Sequence, residues 1–212
     1  MSPSRRNDSI PEATVPRLSR YLRKLQEMQE RGKKTVSSRQ LAEAVGANPA
    51  QIRKDLSYFG EFGTRGVGYD VKTLVEELRQ QLGLNRSWNV IIIGSGKLGT
   101  ALALYRGFEK QGFNLVGMFD SNPDVVGTDR GAAPVLSSDR LEQFIADNDI
   151  QIAMVTTPAD AAQDVIDRVV AAGVPAVLNF APIGATADQP VILRQVDLST
   201  ELMTLSFYLD KS

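Results

Sequence analysis

Val90-Ile-Ile-Ile93 runs straight into Gly94-Ser-Gly96-Lys-Leu-Gly99, and this stretch decides the fold. An apolar strand, a glycine turn and the start of an amphipathic helix follow one another in the order that a dinucleotide pyrophosphate requires. Gly94 serves the tight turn, Gly96 admits phosphate, and Gly99 lets the helix pack on the sheet, while Ser95, Lys97 and Leu98 complete the candidate loop. The helix start presents N–H groups and a positive dipole end. Leu115-Val-Gly-Met-Phe119 then ends in Asp120, an acid placed to accept from ribose hydroxyls and to repel a 2′-phosphate. The expected ligand is NAD(H).

From Trp88 onward, apolar runs alternate with helical periodicity: strand 88 to 93, helix 97 to 110, strand 114 to 120, helix 138 to 147, strand 150 to 156, helix 160 to 172, strand 175 to 179. That alternation predicts a Rossmann-like α/β domain, a parallel sheet covered on both faces. Its ligand belongs at the carboxyl ends of the strands, where Thr156-Thr-Pro158 and Asn179-Phe180-Ala181-Pro182 also fall. Asn179 and Phe180 are expected to flank a nicotinamide; two plain proline turns are the alternative.

The chain has 212 residues, 42% of them hydrophobic, and neither Cys nor His. Their absence removes thiolate and imidazole chemistry and the usual zinc sites, so no catalytic residue and no metal ligand is assigned. No apolar run approaches membrane-spanning length and Met1 to Ser9 lacks a signal-peptide core; no membrane partner and a cytoplasmic location are expected. The net charge of −1 conceals a split. Residues 1 to 86 carry sixteen Lys and Arg against ten Asp and Glu, a balance of +6, whereas residues 87 to 212 carry eight against fifteen, a balance of −7. A basic first part suits an anionic macromolecule.

Residues 1 to 15 read as a polar arm. Residues 16 to 84 read as a winged-helix domain. A helix from Pro16 carries Leu18, Tyr21, Leu22, Leu25 and Met28 on one stripe and stops at Gly32. Ser37 and Gln40 form a capping box for a second helix that ends at Gly46; Asn48 caps a third, with Gln51 expected to complete another box and Gly60 to close it. Ile52, Leu56 and Phe59 must face the core of this helix-turn-helix, which turns Arg53, Lys54, Ser57 and Tyr58 outward with the chemistry of a recognition helix. Glu61 to Tyr69 reads as a wing with Arg65 and Gly66 at its tip, and Arg65 is suited to a narrow minor groove. Asp70 starts a fourth helix.

Residues 85 to 192 make up the expected nucleotide domain and residues 193 to 212 a dimerisation helix. Leu198, Leu202, Leu205 and Leu209 form its stripe, with Met203, Phe207 and Tyr208 beside it. That apolar arc is broader than one docking surface needs, so a second chain is its expected cover; packing across its own Rossmann domain is the alternative.

These residues together resemble the Rex family of redox-sensing transcriptional repressors. The most specific pieces are Arg53-Lys-Asp-Leu-Ser-Tyr-Phe-Gly60, Gly63-Thr-Arg-Gly-Val-Gly-Tyr69, Leu82-Gly-Leu84, Gly94 to Gly99, Asn179-Phe-Ala-Pro182 and Leu205-Ser-Phe207. The resemblance implies a homodimer with winged helices on double-stranded inverted-repeat operator DNA, Rossmann domains that bind NADH or NAD⁺, a domain-swapped C-terminal helix, and release of DNA when NADH binds. It also sets Arg23, Tyr105 and Asp197 near the interdomain and dimer surfaces. As candidate switch residues, Asp197 is expected to pair with Arg23 in the DNA-bound form and with Tyr105 in the NADH-bound form; a solvated cation, a packing residue and a plain N-cap are the alternative. Two other readings are an NAD-dependent dehydrogenase and a coenzyme A-binding module, each with an appended helix-turn-helix. The first has no substrate domain left over; the second is opposed by Asp120.

Overall fold

The computed structural model describes residues 10–60, 63–64, 67–130 and 134–211. The chain divides into two units, Met1–Arg86 and Ser87–Ser212.

In the first unit, α1 (Thr14–Glu30) lays Leu18, Tyr21, Leu22 and Leu25 into a core shared with α2 (Ser38–Val45), α3 (Pro49–Ser57) and α4 (Val71–Gln81). The helix begins two residues before Pro16 and Thr14 is fully buried, so residues 14 and 15 belong to the domain and not to an arm. Ser37 and Gln40 make the expected capping box, and Gly46 ends α2 in the left-handed conformation. Asn48 caps α3 by accepting from the Ala50 N–H, but there is no second box. Gln51 turns to Asp55 instead, its Nε2 donating at 2.7 Å, a charge-assisted bond stronger than the neutral one its Oε1 would accept from the Asn48 N–H. The strands β1 (Thr35–Val36), β2 (Gly63–Thr64) and β3 (Gly68–Asp70) form an antiparallel sheet ordered β1-β3-β2, the expected wing. Gly68 has φ +98° and its α-carbon lies so close to the Val36 carbonyl that no side chain fits.

The second unit is a six-stranded parallel sheet in the order β6-β5-β4-β7-β8-β9. Its strands are β4 (Trp88–Ile93), β5 (Phe113–Asp120), β6 (Val135–Ser137), β7 (Ile152–Val155), β8 (Ala176–Asn179) and β9 (Ile192–Gln195). Ile91 and Ile93 face a core with α7 (Leu141–Asp147) and α8 (Ala159–Ala171), whereas Val90 and Ile92 face the opposite layer with Met118 and Met154. Each such side chain contributes about 1.5–3 kcal/mol by leaving water, which explains why the strand is apolar on both faces. The edge strands β6 and β9 were not expected; each is short, and β9 is largely exposed, so neither carries a hydrophobic run.

The expected helix over 97 to 110 is two pieces, α5 (Lys97–Ala103) and α6 (Gly107–Lys110). The break follows from packing: Tyr105 folds its ring over Gly107 and meets Phe108 edge-on, centroids 5.0 Å apart, and three-residue turns at Tyr105 and Phe108 replace helical bonds. The last helix, α9 (Leu198–Leu209), is capped by Asp197 and buries none of its residues in this chain.

Candidate functional site

Because β4 is flanked by β5 on one side and β7 on the other, the strand order reverses at its carboxyl end. Such a switch point opens a crevice for ligands. The Gly94 N–H continues the ladder to the Phe119 carbonyl at 2.8 Å and the chain then turns at φ +102°. Thr156 closes the other flank, its hydroxyl donating to the Gly94 carbonyl at 2.8 Å. A side chain at Gly99 would drive into the Gly94 carbonyl oxygen, whereas one at Gly96 would meet nothing within 4 Å. The fold itself therefore demands Gly99, whereas it leaves room for a side chain at Gly96.

Asp120 pins this turn. Its Oδ2 accepts from the Ser95 N–H and from the Ser95 hydroxyl, both at 2.7 Å, and its Oδ1 accepts from the Asn122 N–H at 2.9 Å. Burial pushes its pKa up, but these donors outweigh burial and hold the carboxyl below the usual range. A ribose would meet a charged carboxylate already fixed in place. Two cavities meet at Gly96 and Asp120: one of about 670 Å³ that also takes in Gly94, Thr156, Thr157 and Pro158, and one of about 510 Å³ that takes in Ser95, Lys97, Asn122 and Arg130. Thr157 Oγ1 and Arg130 Nε are buried without a hydrogen-bond partner among the described residues. A cradle open at Gly96, with orphaned polar atoms in its walls, fits a dinucleotide. Arg130 escaped sequence reading because it lies ten residues past the acid in a stretch without periodicity.

The remaining expected cofactor residues divide. Lys97 and Leu98 are exposed beside the turn. Asn179 is fully buried, and its amide is engaged with the Ala181 N–H, the Ala181 carbonyl and the Gln195 side chain. It holds the Phe180-Ala181-Pro182 turn in shape and does not present a free amide to a ring. Phe180 is half-buried against the layer of Val90 and Ile92, and Ala181 is buried.

In the first unit, Ile52 and Leu56 are buried and Phe59 packs against them, while Arg53, Lys54 and Ser57 are exposed and Tyr58 partly so. Arg53 donates to the Ser38 hydroxyl at 3.1 Å, and the Ser57 hydroxyl donates to the Lys54 carbonyl at 2.8 Å. Arg53 shares a groove of about 410 Å³ with Gly63, Thr64 and Val67 of the wing; Arg65 and Gly66 lie outside the described residues. Sequence reading overlooked Asp55. This fully buried carboxylate accepts four hydrogen bonds, two from Arg17, one from the Tyr21 hydroxyl and one from Gln51. Its signal was an acid on the apolar side of α3, between Ile52 and Leu56.

Arg23, Tyr105 and Asp197 are each exposed; Asp197 accepts from the Ser199 N–H at 2.8 Å as the cap of α9, and Tyr105 sits in the break after α5. Groups of three or more potential metal ligands are absent among the described residues, as is any helix long and apolar enough to cross a membrane.

Two family models match, one for the N-terminus of putative DNA-binding proteins over residues 9–57 and one for a CoA binding domain over residues 85–183. The redox-sensing transcriptional repressor Rex of Streptomyces coelicolor is 49% identical over 206 residues, which are 97% of this chain and 80% of that protein. Its counterpart in Carboxydothermus hydrogenoformans is 48% identical, covering 93% of this chain and 95% of the relative. This chain belongs to the Rex family of redox-sensing transcriptional repressors. Among solved structures, RSP in complex with beta-NAD⁺ and operator DNA superposes with a TM-score of 0.90 at 44% identity, over 95% of this chain and 93% of that one. RSP in complex with beta-NADH gives 0.88 at 42% identity, over 96% and 95%. Family members are named as repressors and not as enzymes, against the dehydrogenase reading.

Proposed function

We propose that this chain is a cytoplasmic transcriptional repressor that binds operator DNA when NADH is scarce and leaves it when NADH binds. The observation that carries the reading is Gly96, a glycine with open space at its α-carbon where the two cavities beside Asp120 meet. Similarity over nearly the whole chain to a repressor solved with beta-NAD⁺ and operator DNA supports it.

In this account the turn from Gly94 to Gly99 receives the pyrophosphate, Asp120 the adenosine ribose, and Thr156, Pro158 and the Asn179–Pro182 turn the remainder. Residues 14 to 84 supply the DNA-binding domain, with Arg53, Lys54, Ser57 and Tyr58 in the major groove and Arg65 and Gly66 at the wing. Residues 85 to 192 supply the nucleotide domain and residues 193 to 212 the dimer contact. A homodimer on an inverted repeat is supported by α9, whose Leu198, Leu202, Leu205 and Leu209 are each more than half exposed in the single chain. A cavity of about 390 Å³ under the α5–α6 break, where Ile92, Leu104 and Tyr105 meet Arg106 and Glu109, offers a second copy a seat of mixed polarity. The switch pairs Asp197 with Arg23 in the DNA-bound state and with Tyr105 in the NADH-bound state. A hundredfold loss of operator affinity takes about 2.7 kcal/mol of differential NADH binding, and linkage makes DNA weaken NADH by the same factor.

Titration with NADH, NADPH and coenzyme A, with anisotropy of a labelled operator read in parallel, tests the reading. NADH alone should bind tightly and release DNA, and Arg53→Ala with Lys54→Ala should cost about 1–3 kcal/mol each in operator affinity. Release by coenzyme A and not by NADH would favour the other nucleotide.

A further inference from the structure

The smaller of the two cavities at Asp120 holds one cation, Arg130, to which the NAD(H) reading gives no role. It is lined by Lys97 and Arg130 together with Asp120 and Asn122. Dinucleotide sites that take an unphosphorylated ribose place an acid at the end of the second strand, and those that take a 2′-phosphate place an arginine nearby. Here Asp120 and Arg130 line one cavity. The Arg130 Nε is buried and has no partner among the described residues, an unmade bond that is costly for a charged donor. A guanidinium fork matches a phosphate face in geometry as well as charge. Asp120, by contrast, already accepts from the Ser95 N–H, the Ser95 hydroxyl and the Asn122 N–H. The acid is engaged with the turn, and the guanidinium has a donor to spare.

We propose that Arg130 and Lys97 form a phosphate-accepting subsite at the ribose 2′ position, closed in this chain by the single carboxylate of Asp120. Its occupant is the 2′-phosphate of NADP(H). Preference for NAD(H) then rests on one negative charge and not on lack of room, because about 510 Å³ is open there. The inference rests on the nucleotide reading of the glycine turn.

The test compares wild type, Asp120→Asn, Asp120→Asn with Arg130→Ala, and Arg130→Ala alone, each titrated with NADH and NADPH by fluorescence and calorimetry. Asp120→Asn keeps an acceptor for the Ser95 N–H; Asp120→Ser replaces it if circular dichroism shows that the asparagine variant does not fold. Wild type should prefer NADH by about thirtyfold or more, and the Asp120 variant should bring NADPH to within about threefold of NADH. Adding Arg130→Ala should remove that NADPH gain by about tenfold, the worth of a charge-assisted hydrogen bond, with NADH affinity little changed. No NADPH gain in the folded Asp120 variant, or a gain that survives loss of Arg130, overturns the proposal while the nucleotide site stands. Failure of wild type to bind NADH overturns the nucleotide reading itself.

Discussion

Arg17 and Asp55 meet through two parallel hydrogen bonds, Nε to Oδ2 at 2.7 Å and Nη2 to Oδ1 at 2.8 Å, which tie α1 to α3. The Tyr21 hydroxyl and Gln51 complete the four acceptor positions of the carboxylate. Asp55 sits between Lys54, which faces solvent, and Leu56, which is buried. The orientation of α3 therefore depends on a charge pair on its buried side.

Removing one partner of such a pair leaves the other charged and buried. Arg17→Ala should destabilise the N-terminal unit by about 3–5 kcal/mol, and operator affinity should fall even at temperatures where the variant is folded. Urea unfolding followed by far-ultraviolet circular dichroism measures the first quantity and operator anisotropy the second. A loss under about 1 kcal/mol, the range of an exposed pair, would deny Asp55 this role.

The same network sets a pH window. Burial opposes the charged form of Asp55, but the bonds from Arg17, Tyr21 and Gln51 prevail and its pKa lies below the ordinary value. A depressed carboxylate gives stability that is present above the unfolded pKa of about 3.9 and lost as pH falls through the folded value. Tyr21, raised first by burial and then by its bond to Asp55, is pushed up to about 12. Its contribution is complete below about pH 10 and lost as pH rises toward the folded value. Thermal melts of wild type and Tyr21→Phe between pH 8 and 12 should differ in slope, wild type falling more steeply. Parallel curves would contradict the assignment.

The two outer glycines of the turn should fail differently. Gly99→Ala forces a methyl group against the Gly94 carbonyl and should lower stability by about 1–3 kcal/mol or more. Gly96→Ala meets open space and a φ of −64°, so the protein should melt as wild type does and yet lose NADH binding, leaving a repressor that NADH cannot release. Calorimetry with melting curves separates the cases; NADH affinity unchanged in Gly96→Ala would remove the cofactor from this turn.

Much of this was legible in the sequence because local chemistry and burial agreed. Ser37 with Gln40, Asn48 ahead of Pro49, and Asp70 each cap as their residue types require, and Val90 to Ile93 had to be a buried strand. The rest depended on particular side-chain contacts, some distant in sequence and some two residues apart. Asp55 finds Arg17 thirty-eight residues away, Asn179 is drawn into the Ala181 and Gln195 backbone and side chain, and the α5–α6 break comes from the Tyr105 ring lying over Gly107. Periodicity carries none of these.

The exposed stripe of α9 makes a further outcome definite. Leu202→Glu with Leu205→Glu should leave the strands and helices of both units intact, since neither side chain is buried in the single chain, and should turn a dimer into a monomer with weakened operator binding. Sedimentation equilibrium reads the mass. A double variant that remains dimeric would place the dimer contact elsewhere.

The central claim is that one nucleotide in its reduced form releases DNA. Anisotropy of a labelled inverted-repeat operator, bound to this protein and titrated with NADH and then with NAD⁺ at fixed salt, tests it most directly. The account predicts release by NADH at concentrations where NAD⁺ leaves the complex intact, and loss of that release in Gly96→Ala. Equal release by the two nucleotides, or none by either, would contradict it.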